Sequence, residues 1–222
     1  MMRVALLGGT GDIGEGLALR MGRDTDHTVV IGSREAERGR QAANEYNDTL
    51  ASHGAEGAIE GGANPEAAAR ADVVVLAVPA YHLADTVDAV ADSLGEAVLV
   101  SPAVGMQRDE SGLHYNPPGA GSVTALATQV APDGVPVVGA FHNLAAGRLA
   151  ELEAELGWDV PIVGDDDDAK KTVMRLADGV TGLRALDAGG LDNATEIESL
   201  TPLLINLAAN NGGLHDLGVS FH

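Results

Sequence analysis

No cysteine occurs anywhere in the 222-residue chain. Disulfides, thiolate chemistry, zinc–thiolate sites and iron–sulfur clusters are thereby excluded. Lysine is almost missing too: Lys170 and Lys171 are the only two, and Arg supplies the other basic residues. Lys and Arg together number 13 against 33 Asp and Glu, a formal charge of −20. That balance leaves no overall basic footprint for nucleic acid. No apolar run approaches the length of a membrane span. The residues after Met1 run straight into a strand-like segment without a signal-peptide pattern. A cytoplasmic protein with neither nucleic acid nor membrane as partner is the expectation.

Acidic chains are disordered when hydrophobicity is low, but here 45% of the residues are apolar, enough for a buried core. An ordered, acidic, lysine-poor chain resembles the proteins of salt-accumulating haloarchaea, whose self-repulsion is screened by high salt. Glycine is abundant at 29 residues, which suits many tight strand-to-helix turns.

Short apolar runs alternate with helical stretches. Strands are predicted at Arg3–Leu7, at His27–Ile31, from Val73 in "VVVLAVP" and from Ala97 in "AVLVSP". Continuous apolar runs of this kind fit strands covered on both faces of a parallel sheet. Helices are predicted after "GGTGDIG", from Glu35 to about Ala51, in "NPEAAARAD" with Asn64 as cap and Pro65 at the first helical position, and in "YHLADTVDAVADSL". The alternation predicts a doubly wound parallel-sheet α/β (Rossmann) domain over residues 1–150. The stretch Gly105–Ser122 is rich in Gly and Pro and reads as an irregular loop, followed by helix "VTALATQVA" and a strand ending near Phe141. Residues 151–222 read as a small C-terminal α/β part that completes a cleft. Its last helix, from Asn193, carries apolar Ile197, Leu200, Leu203, Leu204 and Leu207 and should kink at Pro202.

The chemistry begins at Gly9-x-Gly11-x-x-Gly14, set between a strand and a helix with another strand following. In that context the spacing is a dinucleotide fingerprint. Gly9 permits the tight turn, Gly11 lets the backbone approach a pyrophosphate, and Gly14 lets helix and strand pack closely. The helix N-terminus adds N–H donors and partial positive charge. About twenty residues further on, an NAD site places an acid on the ribose 2′-hydroxyl, and an NADP site places cations on the 2′-phosphate. This chain has Ser33, Arg34 and Arg38 there. The two Arg residues are four apart and share a helix face, and Thr10 adds a hydroxyl. The cofactor is read as NADP. Glu35 is a competing partner for Arg38.

"MRVALLGGTGDIGEGLALR" and "VVIGSR" resemble the NADPH:coenzyme F420 oxidoreductases of archaea and some bacteria. "LVSPAVG", "GAFHNLAAGRLAEL", the run "WDVPIVGDDDDAKK…SLTPLLINL" and the closing "LGVSF" are similar to that family as well, so the resemblance spans nearly the whole chain. It implies direct hydride transfer between NADP(H) and coenzyme F420, and a homodimer or homotetramer. By position it implies that Thr10, Gly11, Asp12 and Ile13 line the pyrophosphate loop and that Ser33, Arg34 and Arg38 hold the 2′-phosphate. Val78 and His82 then lie over the dinucleotide, Val104 and Ala146 near the nicotinamide, and Leu217 against the deazaflavin.

No Ser/His/Asp set or metal cluster is expected, because hydride transfer between two held cofactors needs positioning. His142 is the one candidate for polar assistance at the rings, against the alternative that it hydrogen-bonds a loop. Asp165–Asp168 reads as a helix cap in preference to a metal site. Arg148, Arg175 and Arg184 are candidates to meet the anionic F420 tail. Two other readings remain open: an NADP-dependent reductase of another small acceptor, and a non-catalytic NADP-binding redox sensor.

Overall fold

The computed structural model describes residues 1–222. Strands β1 (Arg3–Leu7), β2 (Thr28–Ser33), β3 (Ile59–Ala63), β4 (Val73–Leu76), β5 (Val98–Ser101), β8 (Val137–Gly139), β9 (Trp158–Gly164) and β10 (Leu183–Asp187) form one sheet. Its order is β10-β9-β8-β5-β4-β1-β2-β3, parallel except where β8 meets β9. Helices α1 (Asp12–Asp24), α2 (Ala36–Ser52), α3 (Asn64–Ala68), α4 (Leu83–Val90), α5 (Val123–Val130), α6 (Ala146–Ala150), α7 (Asp167–Asp178) and α8 (Ala194–Asn210) flank it. The fold is α/β and Rossmann-like, and the C-terminal strands β9 and β10 join the same sheet.

The strands alternate between two cores, as their two-residue side-chain period requires. Val4, Leu6, Val29, Ile31, Val73 and Val75 face a large cluster shared with α1, α2 and α7. Ala5, Leu7, Val30, Val74 and Leu76 face a smaller one with α3, α4 and α5. Both faces are dry, which is why the strand sequences are unbroken apolar runs.

Two local readings change. Gly105–Ser122 is not irregular throughout: β6 (Met106–Asp109) and β7 (Gly112–Tyr115) pair as an antiparallel hairpin. Its pairing is completed from outside, since Asn206 of α8 donates to Leu113 O at 2.6 Å and accepts from Leu113 N at 3.0 Å. Asn64 is not the cap of α3. The cap position is Ala63, and its N–H is met by Glu66 Oε2 at 3.3 Å. Helix α8 runs on through Pro202, its apolar face divided: Ile197 is core, Leu204 and Ile205 line a cavity, and Leu203 and Leu207 are exposed. No helix is long and apolar enough to cross a membrane.

Candidate active site

The strand order reverses between β1 and β4, and a cleft opens there at the carboxyl ends of the strands, where α/β sheets bind ligands. Beyond β1 the chain turns sharply on Gly8, whose φ of +74° is left-handed. The turn residue is thus one earlier than the spacing indicates, and Gly9 has ordinary φ. Gly14 serves close packing: a Cβ there would stand 2.5 Å from Gly9 Cα. Gly11 caps α1 with no side-chain hydrogen bond to the first turn. Those N–H groups are therefore free for an anion. Tyr46 of α2 donates its hydroxyl to Gly9 O at 3.1 Å, which ties the loop to the next helix. Burial, with Glu15 and Glu45 nearby, pushes the Tyr46 phenol up to about 12.

The cleft holds about 440 Å³. Thr10, Gly11, Ser33, Arg34, Arg38, Val78 and His82 all line it. Ser33 is buried at the end of β2, and both Arg side chains are exposed at the start of α2. Neither Arg forms an ion pair, so Glu35 does not claim Arg38. Two unpaired guanidiniums beside a hydroxyl fit the dianionic 2′-phosphate. Gly9 and Gly14 do not line the cleft; they pack against each other where β1 turns into α1. Asp12 is exposed at the α1 start, and Ile13 packs on the core.

Two more cavities lie beyond this one. Val104 lines a space of about 540 Å³ with Pro79, Tyr81 and Pro117. Tyr81 is 78% exposed, its ring 4.4 Å from that of His82. Ala146 and Leu217 meet in a third space of about 340 Å³, walled by Leu144, Thr201, Leu204 and Ile205. Most of its lining is apolar, as suits a flat ring system. Val104 and Ala146 therefore line separate cavities.

His142 is 4% exposed and lines none of these spaces. Its Nε2 lies 3.4 Å from Thr124 Oγ1, and its Nδ1 has no partner. Burial pushes its pKa down to about 3, so the ring is neutral. It follows Phe141, a non-glycine residue at φ +68°. Asp166 caps α7 by accepting from Asp168 N and Ala169 N, which explains the acid run. No cluster of three or more His, Asp or Glu is placed to hold a metal ion.

Several residues that organise these cavities carry no motif. Arg20 of α1 is 1% exposed and donates to the carbonyls of Arg148, Leu149, Glu151 and Ala154, fixing the end of α6. Glu198 of α8 is fully buried and accepts from Tyr115 Oη, Val123 N, Thr124 N and Thr124 Oγ1. Burial and this carboxylate raise the Tyr115 pKa. Asp159 accepts both Arg184 Nε and Nη2, at 2.6 and 2.7 Å, and Phe221 N at 2.6 Å. Arg184 is thus occupied inside the protein, and it also donates to Phe221 O.

A family profile described as NADP oxidoreductase, coenzyme F420-dependent, matches residues 3–105. The F420-dependent NADP reductase of Methanocaldococcus jannaschii is 36% identical over 209 residues, 93% of this chain and 92% of that one. The enzyme of the same name from Methanothermobacter thermautotrophicus is 37% identical over 214 residues, 95% and 91% of the two chains. The chain belongs to the F420-dependent NADP reductase family. Matches covering more than nine-tenths of the chain reach well past the nucleotide loop. In fold, the family member is similar to an Arthrobacter protein provisionally assigned as an F420-dependent NADP reductase, with a TM-score of 0.81, 23% identity and full coverage of both chains. It is also similar to a pyrroline-5-carboxylate reductase from Coxiella burnetii, with a TM-score of 0.59 and 17% identity over 97% of this chain and 73% of that one.

Proposed function

We propose that this chain is an oxidoreductase that transfers a hydride directly between NADP(H) and the deazaflavin coenzyme F420. The carrying observation is that reductases of that name match more than nine-tenths of the chain, so the likeness is not confined to the phosphate-binding cleft but takes in the segment of Ala146 and most of α8 as well. The two cofactors, when bound, supply the redox chemistry, and the protein positions them.

The α1 N-terminus and the Gly loop take the pyrophosphate. Ser33, Arg34 and Arg38 take the 2′-phosphate, and Thr10 adds a hydroxyl. Val78 and His82 cover the dinucleotide. Val104 and Ala146 are assigned to the nicotinamide end and Leu217 to the deazaflavin. Residues 151–222 act as the part that completes the acceptor cleft, through α8 and the tail. Arg148 and Arg175 remain as basic groups for the F420 tail, since Arg184 is committed to Asp159. His142, buried and neutral, acts on the rings only through packing or Thr124.

The test is spectroscopic. Purified protein is mixed with NADPH and oxidised F420, and the deazaflavin absorbance is followed. Rapid bleaching is expected. No bleaching while NADPH still binds would overturn the F420 assignment and favour another acceptor or a sensor.

A further inference from the structure

Asn64 sits at the carboxyl end of β3, one residue beyond the register pair Ser33–Ala63. Asn at a helix start ordinarily caps the helix. Here Ala63 and Glu66 do that work, and the Asn64 side chain makes no hydrogen bond. The residue is only 6% exposed, and its Oδ1 is buried without a partner. Buried amides are ordinarily satisfied, so one left over calls for a reason.

The surroundings supply it. A Cβ on Gly32 would stand 2.7 Å from Asn64 Oδ1, so the amide oxygen is wedged against Gly32 and the glycine makes room for it. The same side chain lines the cleft that holds Ser33, Arg34 and Arg38. With Oδ1 turned to Gly32, the Nδ2 group with its two N–H donors is the end left for the cleft. The neighbouring hydroxyl and guanidiniums are donors as well. A ligand group that only accepts hydrogen bonds satisfies all of them at once.

We propose that Asn64 is a further member of the 2′-phosphate site, donating from Nδ2 to a phosphate oxygen of NADP beside Ser33, Arg34 and Arg38. This rests on the reading of the cleft as an NADP site. As a neutral donor, Asn64 adds direction and no charge. It is a specificity residue, because the group it meets is absent from NAD.

The test uses the full chain and calorimetric binding of NADP+, NAD+ and 2′,5′-ADP to wild type, Asn64→Ala and Asn64→Asp, with melting of each free protein. Asn64→Ala is expected to weaken NADP+ and 2′,5′-ADP about tenfold or more, the worth of a hydrogen bond to a charged group, and to leave NAD+ unchanged. Asn64→Asp, which sets a carboxylate against the phosphate, should weaken both phosphate ligands further and still spare NAD+. Retained NAD+ binding shows that the variants fold. The free Asn64→Ala protein should melt no lower than wild type, because its amide has no partner to lose. Equal weakening of NADP+ and NAD+, or undiminished 2′,5′-ADP binding in both variants, overturns the proposal. So does a melting temperature that falls in step with affinity, which marks a structural role. A wild type that does not prefer NADP+ to NAD+ sinks the NADP reading itself, before any variant is made.

Discussion

At the scale of single residues, the decisive groups divide by how far their partners lie along the chain. Glu198 joins α8 to α5 and to the hairpin with four hydrogen bonds, and Thr124 is 74 positions away. Its Oε1 accepts from Thr124 N and Oγ1, its Oε2 from Val123 N and Tyr115 Oη. Glu198→Ala strands two backbone N–H groups in the interior and should cost about 3–5 kcal/mol of stability. Glu198→Gln is no safe replacement. Whichever way the amide turns, its NH2 meets a backbone N–H that cannot rotate away. Urea unfolding of both variants checks this, and a Gln variant as stable as wild type would refute it. The nucleotide residues were legible because their geometry is local: the glycines fall within the β1–α1 turn and the first turn of α1, and Arg34 and Arg38 flank the start of α2, although Arg34 precedes that helix and does not share a face of it. Glu198 was not legible. An acid on an amphipathic helix reads as solvated until the fold brings its donors to it.

At the scale of elements, the same divide separates strands from the hairpin and tail. The sheet strands were legible because two helix layers force unbroken apolar runs. Hairpin β6–β7 lacks that signature, since every residue of β6 is exposed, and its partner Asn206 lies 93 positions beyond Leu113. The tail follows the same rule. Strand β9 runs antiparallel past the end of β8, so Trp158 and Asp159 overhang the carboxyl edge of the sheet. There Asp159 N donates to Val219 O, and Asp159 and Arg184 grip Phe221. This strap presents Leu217 to the apolar cavity. Asp159→Asn should therefore raise KM for F420 roughly tenfold or more through misplacement, with NADP affinity unchanged. Equal damage to both would mean the tail supports the whole fold. The strap is also acid-sensitive. The hydrogen bond from Arg184 holds the Asp159 pKa below its ordinary value. Its stabilising contribution is complete above the unfolded carboxylate value of about 4 and is lost as pH falls through the folded value. Limited proteolysis on an acid titration should release the tail of wild type as that value is crossed. In Asp159→Asn the tail should be cleavable at every pH, and identical profiles would remove Asp159 from the account.

At the scale of the whole molecule, charge and fold pull in opposite directions. The sheet and its two cores favour compaction, while a net charge of −20 on 222 residues opposes it. Ion pairs offset little of this. Lys170 and Lys171, the only lysines, are already engaged by Asp167, Asp168 and Asp187 around α7. Among the basic side chains, Arg20 is buried on carbonyls, Arg184 is spent on Asp159, and Arg34 and Arg38 are left without partners at the cleft. Much of the carboxylate surface is therefore uncompensated, and screening by salt is the remaining means of relief. The screening length falls from about 10 Å at 0.1 M salt to about 3 Å at 1 M, shorter than the spacing of most surface charges. Melting temperature should consequently climb from dilute buffer to molar NaCl, by roughly 2–4 °C for each kcal/mol of repulsion relieved. The same salt weakens the hold of Arg34 and Arg38 on the 2′-phosphate, so NADP affinity should fall over the range in which stability rises. Measured together in one salt series, opposite slopes are expected. A flat melting curve would show that the acidic surface is dispersed enough to be neutral for stability, and the halophilic reading of the composition would fall with it.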